Sequence, residues 1–468
     1  MFKLQIKYLS FFFGIVSILS FFNILYSYYF NLYLNLDTYY FTLLASFILF
    51  ITFFKFGKYD IKSNIFQKIL TIFLGYLLIP LVLSIPFYFS IYNLTFSNSF
   101  FEAISGFTST GFTVFDNIKL IDQSLVIWRS STQWLGGLYF LFSIIYLIDI
   151  YDDSFKKTLT NYISFNSSEI LKQAAKIFIL YSSLTIMIFI ILNIFSIRTF
   201  DSLNLALTII SSGGFLPVNE LSTIIKENAQ VIIFSLLMLF SFFSLFFTYN
   251  LIFLRKKNIN FFYEDLHLFI YLIIVVTIFF LFFSFNYDFF INLFAIISSM
   301  TNIGFSLSAG QENLNLIYLI LVIIGGSFFS TSSGLRFIKI YSLFKFSLNQ
   351  ILSFSRPKNV FMNRLIFTKI NFNIDEINRY FLTIIIFILS LLILTSLLSL
   401  SGINFVNSFK LSILTLMNTV NSSIYGLEEF DFYNLHLFSK YCLIFFMIVG
   451  RIELLTILLL LKKFLFKN

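Results

Sequence analysis

The 468-residue chain has one cysteine, Cys442, and two histidines, His267 and His436. A lone cysteine cannot close an intrachain disulfide, and two histidines cannot supply a histidine-rich metal site. Charge is scarce as well: 11% of residues are charged, against about 25% in soluble domains. No polar stretch is long enough to build a soluble domain, which excludes a soluble globular protein, a disordered chain and a nucleic-acid binder. No glycine-rich, lysine-bearing phosphate loop is present, so the chain does not hydrolyse ATP. It also has no nucleophile–base constellation and no chain of buried carboxylates of the kind a proton antiporter uses. What it does have is 59% hydrophobic residues, including 71 Phe and 26 Tyr. Phe, Ile, Asn, Lys and Tyr are all inflated, as an AT-rich genome would produce, so the Phe count carries no functional weight. The composition is that of an all-α polytopic membrane protein.

A membrane-spanning helix needs about 20 mostly apolar residues. Ten such runs occur, at approximately 8–30, 38–54, 69–95, 124–148, 177–197, 230–254, 267–285, 314–348, 380–400 and 437–461. The first is too long for a signal-peptide core and no small-residue cleavage site follows it, so it is expected to be a retained helix. With the N-terminus placed inside, 24 of the 31 Lys and Arg fall on the cytoplasmic side. Twelve acids and only six basic residues fall outside, an imbalance that would concentrate cations at an outer mouth. Both termini are expected in the cytoplasm. Glu102 and Asp201 fall in short outer segments, where each could bind a cation or favour a helix N-terminus.

Between successive spans lie four segments too short and polar to cross the membrane, and they align as an internal repeat. Each begins with roughly ten helix-forming residues and then breaks into small polar residues. The breaks read Thr108, Ser109, Thr110, Gly111; Ser211, Ser212, Gly213, Gly214; Thr301, Asn302, Ile303, Gly304; and Asn418, Thr419, Val420, Asn421. Aligned on Gly111, Gly214, Gly304 and Asn421, the column six residues earlier is all hydroxyl: Ser105, Thr208, Ser298 and Thr415. Such runs can be simple packing sites. Four in register, each after a half-helix, instead predict re-entrant hairpins around an axis. Their helix C-termini, backbone carbonyls and hydroxyls would then replace the hydration shell of a cation. The expected units are two N-terminal helices (1–62) and pore repeats at 63–160, 161–258, 259–360 and 361–468.

These segments resemble the TrkH/KtrB superfamily of potassium-translocating membrane subunits over almost the whole chain. Trp128-Arg129 through Trp134-Leu-Gly136-Gly137 is similar to the family's opening of the second helix of repeat one. Gly450-Arg451-Ile-Glu453 is similar to its Gly-Arg-x-Glu in the final helix. Two extra N-terminal spans make the chain TrkH-like. The resemblance implies four helix–pore-loop–helix units around a central pore, with K+ as the transported ion and the four breaks as its filter. It also implies a bacterial inner-membrane homodimer with a cytoplasmic, nucleotide-binding regulatory ring of the TrkA type.

Within the eighth span, Gly325, Gly326, Ser327, Ser330, Thr331, Ser332, Ser333 and Gly334 form a polar, glycine-bounded run that should unwind the helix and needs a wet cavity. By resemblance it is an intramembrane gating loop, although Phe328 and Phe329 depart from the family's Gly-richer pattern. Arg336 and Lys339 would sit at its cytoplasmic end. Arg451 is a charge inside a span, functional by default unless it pairs with an acid on a neighbouring helix. By resemblance it gates below the filter. Asn421, where the other segments have Gly, is expected to cost potassium selectivity. Rival expectations are a sodium or unselective conduit of the same fold, and a secondary transporter of an organic solute.

Overall fold

The computed structural model describes residues 6–57, 65–147, 170–252, 263–283, 288–308, 312–354, 374–427 and 430–452. Glu453, the last span beyond Ile452 and most of the basic segments, such as Lys156, Lys157, Arg255 and Arg364, lie outside the described residues. Six helices among the described residues are long and apolar enough to cross a membrane. The chain is a multi-pass integral membrane protein.

Two helices, α1 (Ile6–Tyr29) and α2 (Leu36–Phe56), form a hairpin ahead of the repeats. Then a long helix, a short helix and a returning helix follow one another four times. Repeat one holds α3 (Ile65–Leu83), α4 (Ile85–Tyr88), α5 (Phe96–Phe107) and α6 (Gln123–Tyr146). Repeat two holds α7 (Ile170–Ile194), α8 (Thr199–Ile210), α9 (Asn228–Phe242) and α10 (Leu245–Ile252). Repeat three holds α11 (Tyr263–Phe283), α12 (Phe289–Met300), α13 (Asn315–Ile323) and α14 (Phe337–Ser353). Repeat four holds α15 (Ile374–Leu400), α16 (Phe405–Leu416) and α17 (Leu437–Ile452). Each short helix, α5, α8, α12 and α16, has 12 residues. At 1.5 Å per residue that is about 18 Å, too short for a hydrocarbon core of about 30 Å.

Three expected spans are interrupted. The 69–95 run breaks at Ser84, between Pro80 and Pro86, where proline removes a helical N–H. The 230–254 run breaks at Phe243, whose backbone is extended, so α9 and α10 are separate. The 314–348 run stops at Ile323 and resumes at Phe337, and the loop between is closed by a two-residue parallel bridge, Ile324–Gly325 against Leu335–Arg336. By contrast α6 is continuous and buried from Trp128 to Tyr146, because its Ser, Thr, Gln and Arg side chains need protein partners rather than lipid.

Candidate functional site

Each short helix ends in the same way. At the second residue past the helix the backbone turns left-handed: Ser109 (φ 58°), Ser212 (φ 54°), Asn302 (φ 59°) and Asn418 (φ 46°). The following N–H then reaches back to a carbonyl inside the helix: Thr110 to Ser105 (2.9 Å), Gly213 to Thr208 (2.8 Å), Ile303 to Ser298 (3.2 Å) and Thr419 to Leu414 (2.9 Å). This is the Schellman closure, which stops a helix and consumes its last orphan carbonyls. Glycine usually takes the left-handed position; serine and asparagine there are costlier and are held by their surroundings.

The closure fixes the register. In three segments the left-handed residue lies two before the glycine, but in the fourth it is Asn418, so Val420 stands in line with Gly111, Gly214 and Gly304. Asn421 therefore does not occupy the glycine column expected of it; it takes the place of Phe112, Phe215 and Phe305. Thr415 likewise leaves the hydroxyl column to Leu414. Asn421 Nδ2 donates to Leu427 O at 3.0 Å, tying down the outer loop.

The left-handed residues also join neighbouring segments. Ser212 Oγ donates to Thr301 O (2.7 Å), Asn302 Nδ2 to Thr419 Oγ1 (3.3 Å) and Asn418 Nδ2 to Thr110 Oγ1 (3.0 Å). The hydroxyls of Thr108 and Ser211 turn back onto helix carbonyls Ile104 O (2.8 Å) and Leu207 O (3.0 Å). The backbone oxygens remain. Among the described residues, the carbonyls of Thr110, Gly111, Gly213, Gly214, Ile303, Gly304, Thr419 and Val420 accept no hydrogen bond from the protein. More than nine in ten buried carbonyls are normally paired, so eight free ones grouped in this way point to a ligand that accepts oxygen lone pairs.

Gly111, Gly214, Gly304 and Val420 line one cavity of about 380 Å³, which also takes in Asp116, Arg129 and Asp431. Burial alone would raise the Asp431 carboxyl, but hydrogen bonds from Asn434 and the Tyr433 backbone outweigh it and hold it below its ordinary value. Arg129 is not the exposed outer charge its position suggests. It is fully buried, and its Nε donates to Glu102 Oε1 at 2.8 Å. Glu102 sits in mid-helix, away from the α5 N-terminus, and also accepts from Val114 N (2.9 Å) and Thr113 Oγ1 (3.1 Å). Asp201 does lie in the first turn of its helix, α8.

The backbone packing makes the segments intolerant of a Cβ. One on Gly214 would collide with the Val420 Cβ and methyls, and one on Gly304 would meet Val420 and Thr419. Gly304 is also left-handed (φ 79°), while Gly214 is not. Gly214→Ala should therefore lose cation flux and regain it when Val420→Gly is added. Gly304→Ala should lose flux irreversibly, because its own backbone angle is strained. Rubidium uptake into proteoliposomes checks both; a Gly214→Ala protein that Val420→Gly leaves inactive would contradict the packing.

The 325–334 loop is docked directly against two of the segments and is linked to a third through Arg451. Thr331 Oγ1 donates to Ile210 O, the last residue of α8, at 2.7 Å. Ser332 Oγ donates to Asn302 Oδ1 at 3.4 Å, and Ser333 Oγ accepts from Arg451 Nη1. Arg451 Nη2 donates to Ser109 Oγ at 3.4 Å, and the guanidinium lies 4.2 Å from the Phe140 ring centre. Among the described residues no carboxylate pairs with Arg451. Arg336 does not merely end the loop. It turns back into it, with Nη1 donating to Ser327 O (3.0 Å), Ser330 Oγ (3.2 Å) and Ser332 O (3.0 Å). Phe140 and this role of Arg336 have no sequence signal beyond their residue types.

The architecture defines the class: a polytopic membrane protein of four pseudo-repeated helix–pore-loop–helix units around a central pore, with two helices added in front. No protein-family model matches the chain. The structure superposes on the crystal structure of the potassium transporter TrkH from Vibrio parahaemolyticus with a TM-score of 0.85, covering 98% of each chain at 19% identity. Curated relatives include an uncharacterized cation transporter of Methanocaldococcus jannaschii, 25% identical over 61% of this chain and 60% of that one. The Trk system potassium uptake protein TrkG of Escherichia coli is 24% identical over 91% of this chain and 92% of its own. TrkH of Halomonas elongata is 22% identical over 78% of each. The chain is thus TrkH-like in both sequence and fold, as its resemblance to the TrkH/KtrB superfamily implied.

Proposed function

We propose that the chain conducts potassium across the bacterial inner membrane through the four segments, as an ion conduit rather than an enzyme. The observation that carries this is the group of eight buried carbonyls without protein donors, supported by relatives named as potassium uptake proteins. Carbonyl dipoles at the ends of four half-helices substitute for the water of a dehydrated monovalent cation. Acids at the cavity mouth raise its local concentration. The 325–334 loop and Arg451 obstruct the path below. The termini lie in the cytoplasm, the assembly is a homodimer, and a TrkA-type nucleotide-binding ring docks on the basic inner segments. Rubidium uptake by the purified chain in proteoliposomes, competed by potassium and not by sodium, is the expected result; uptake blocked equally by both ions, or none, overturns it.

A second reading, weak selectivity or sodium conduction, draws on Val420. Its isopropyl group stands where three segments have no side chain, against Gly214 and Gly304. Aligning one wall of carbonyls is worth about 1–1.5 kcal/mol, the size of one net hydrogen bond. Val420→Gly should therefore raise the potassium-to-sodium ratio by roughly tenfold. Asn421→Gly should leave it unchanged, because Asn421 lies one position beyond. The reverse pattern would restore Asn421 to the glycine column.

A further inference from the structure

Two carboxylates stand at the start of α11, outside the segments and the loop. Asp265 is 3% exposed; its Oδ1 accepts from Ser244 N at 2.8 Å and its Oδ2 from Ser244 Oγ at 2.6 Å. Ser244 follows Phe243 in the two-residue break between α9 and α10, where the expected span is interrupted. Glu264 Oε1 accepts from Phe328 N at 2.8 Å, inside the 325–334 loop. The break and the loop are also joined to each other. Ser327 N donates to Phe242 O, Ser332 N to Ser241 O and Leu245 N to Phe329 O, each at 3.0 Å, while Phe246 stacks on Phe329 with ring centres 4.9 Å apart. One pair of adjacent acids thus satisfies both the interrupted helix and the loop seated in that interruption.

The arrangement has a physical logic. A break in a spanning helix strands backbone N–H groups that lipid cannot satisfy, and a loop at that depth strands more. Carboxylates are the strongest acceptors the chain can offer such donors. The first turn of a helix, with its partial positive charge, is where they are best tolerated. Because Glu264 reaches the loop and Asp265 the seat, moving the loop away from α9 and α10 requires breaking the bond to Glu264, while the bonds between Asp265 and Ser244 stay in place.

We propose that Glu264 and Asp265 form a latch holding the 325–334 loop across the pathway, Asp265 by fixing the seat and Glu264 by holding the loop. They are positioning residues, acting on the ion only through the loop, and the proposal rests on the loop being the obstruction.

The test is basal rubidium flux through the purified full-length chain in proteoliposomes, with thermal stability measured in parallel. Glu264→Ala should raise flux by about tenfold. Glu264→Gln, which keeps an oxygen acceptor in place, should restore it to near the original value. Adding Glu264→Ala to a chain lacking Phe328–Ser333 should raise flux no further, since residues acting through one element are not additive. If Glu264→Ala does not survive purification, Glu264→Asp shortens the reach by one methylene and carries the same expectation. Unchanged flux in Glu264→Ala, while the loop deletion itself raises flux, overturns the latch alone. Unchanged flux in the loop deletion overturns the gating role first, and the latch with it. Additive effects of the two changes would place Glu264 on a different element and also overturn the proposal.

Discussion

Glu102→Ala should lower stability by about 3–5 kcal/mol, because it leaves the Arg129 guanidinium buried without its counter-charge. Both side chains are fully buried, and the pair ties α5 and α6 to the loop after the first segment through Thr113 and Val114. The guanidinium is further sandwiched near Phe215, 4.2 Å from its ring centre. Replacing both partners, as Glu102→Met with Arg129→Met, should recover much of the loss, since two apolar groups need no compensation. Thermal unfolding of the detergent-purified proteins separates the cases. A single Glu102→Ala as stable as the parent would mean that Arg129 is solvated from the cavity.

The second large effect is expected at the proposed obstruction. Arg451→Ala, or deletion of Phe328–Ser333, should raise basal rubidium flux well above the parent. Arg451 contacts the loop and the first segment together, so its loss frees both and, on the proposed gating role, removes a fixed positive charge from the path. Thr331→Val is the finer probe, because it deletes only the hydroxyl bonded to Ile210 O. One net hydrogen bond is worth about 1 kcal/mol, so the open population should rise roughly fivefold. Lower or unchanged flux in inserted protein would make these residues packing elements.

The fold was legible because its signal is repeated: four short helices, each followed by small polar residues, at spacings that leave room for two crossings. The loop was legible because its Ser-rich run has glycine at both ends. The register of the fourth segment was not. Asn418 and Asn421 both tolerate a left-handed backbone, and a hydroxyl column steered the alignment to Thr415. The bond that decides between them is made by the carbonyl of Leu414, and a backbone carbonyl leaves no trace in residue type. Glu102 looked like a helix-start acid because its partner is 27 residues away on another helix. Glu264 and Asp265 counted only as two acids on the basic side, since their partners are largely backbone N–H groups of a break and a loop whose depth depends on the assembled bundle.

The bond from Asn418 to Thr110 joins residues 308 positions apart, and Asn418 is also anchored to Met447 O at 2.9 Å. A chain enters the membrane from its N-terminal end, so the first segment is laid down long before the helix that completes its surroundings. Until the fourth segment arrives Thr110 lacks this partner, and until α17 arrives Asn418 lacks its anchor on Met447 O. Closing the ring of segments therefore needs a residue of the final helix. A ribosome that stops short of the final helix releases a chain with most of its bundle built and its centre unfinished, which is where quality-control machinery would find exposed polar backbone.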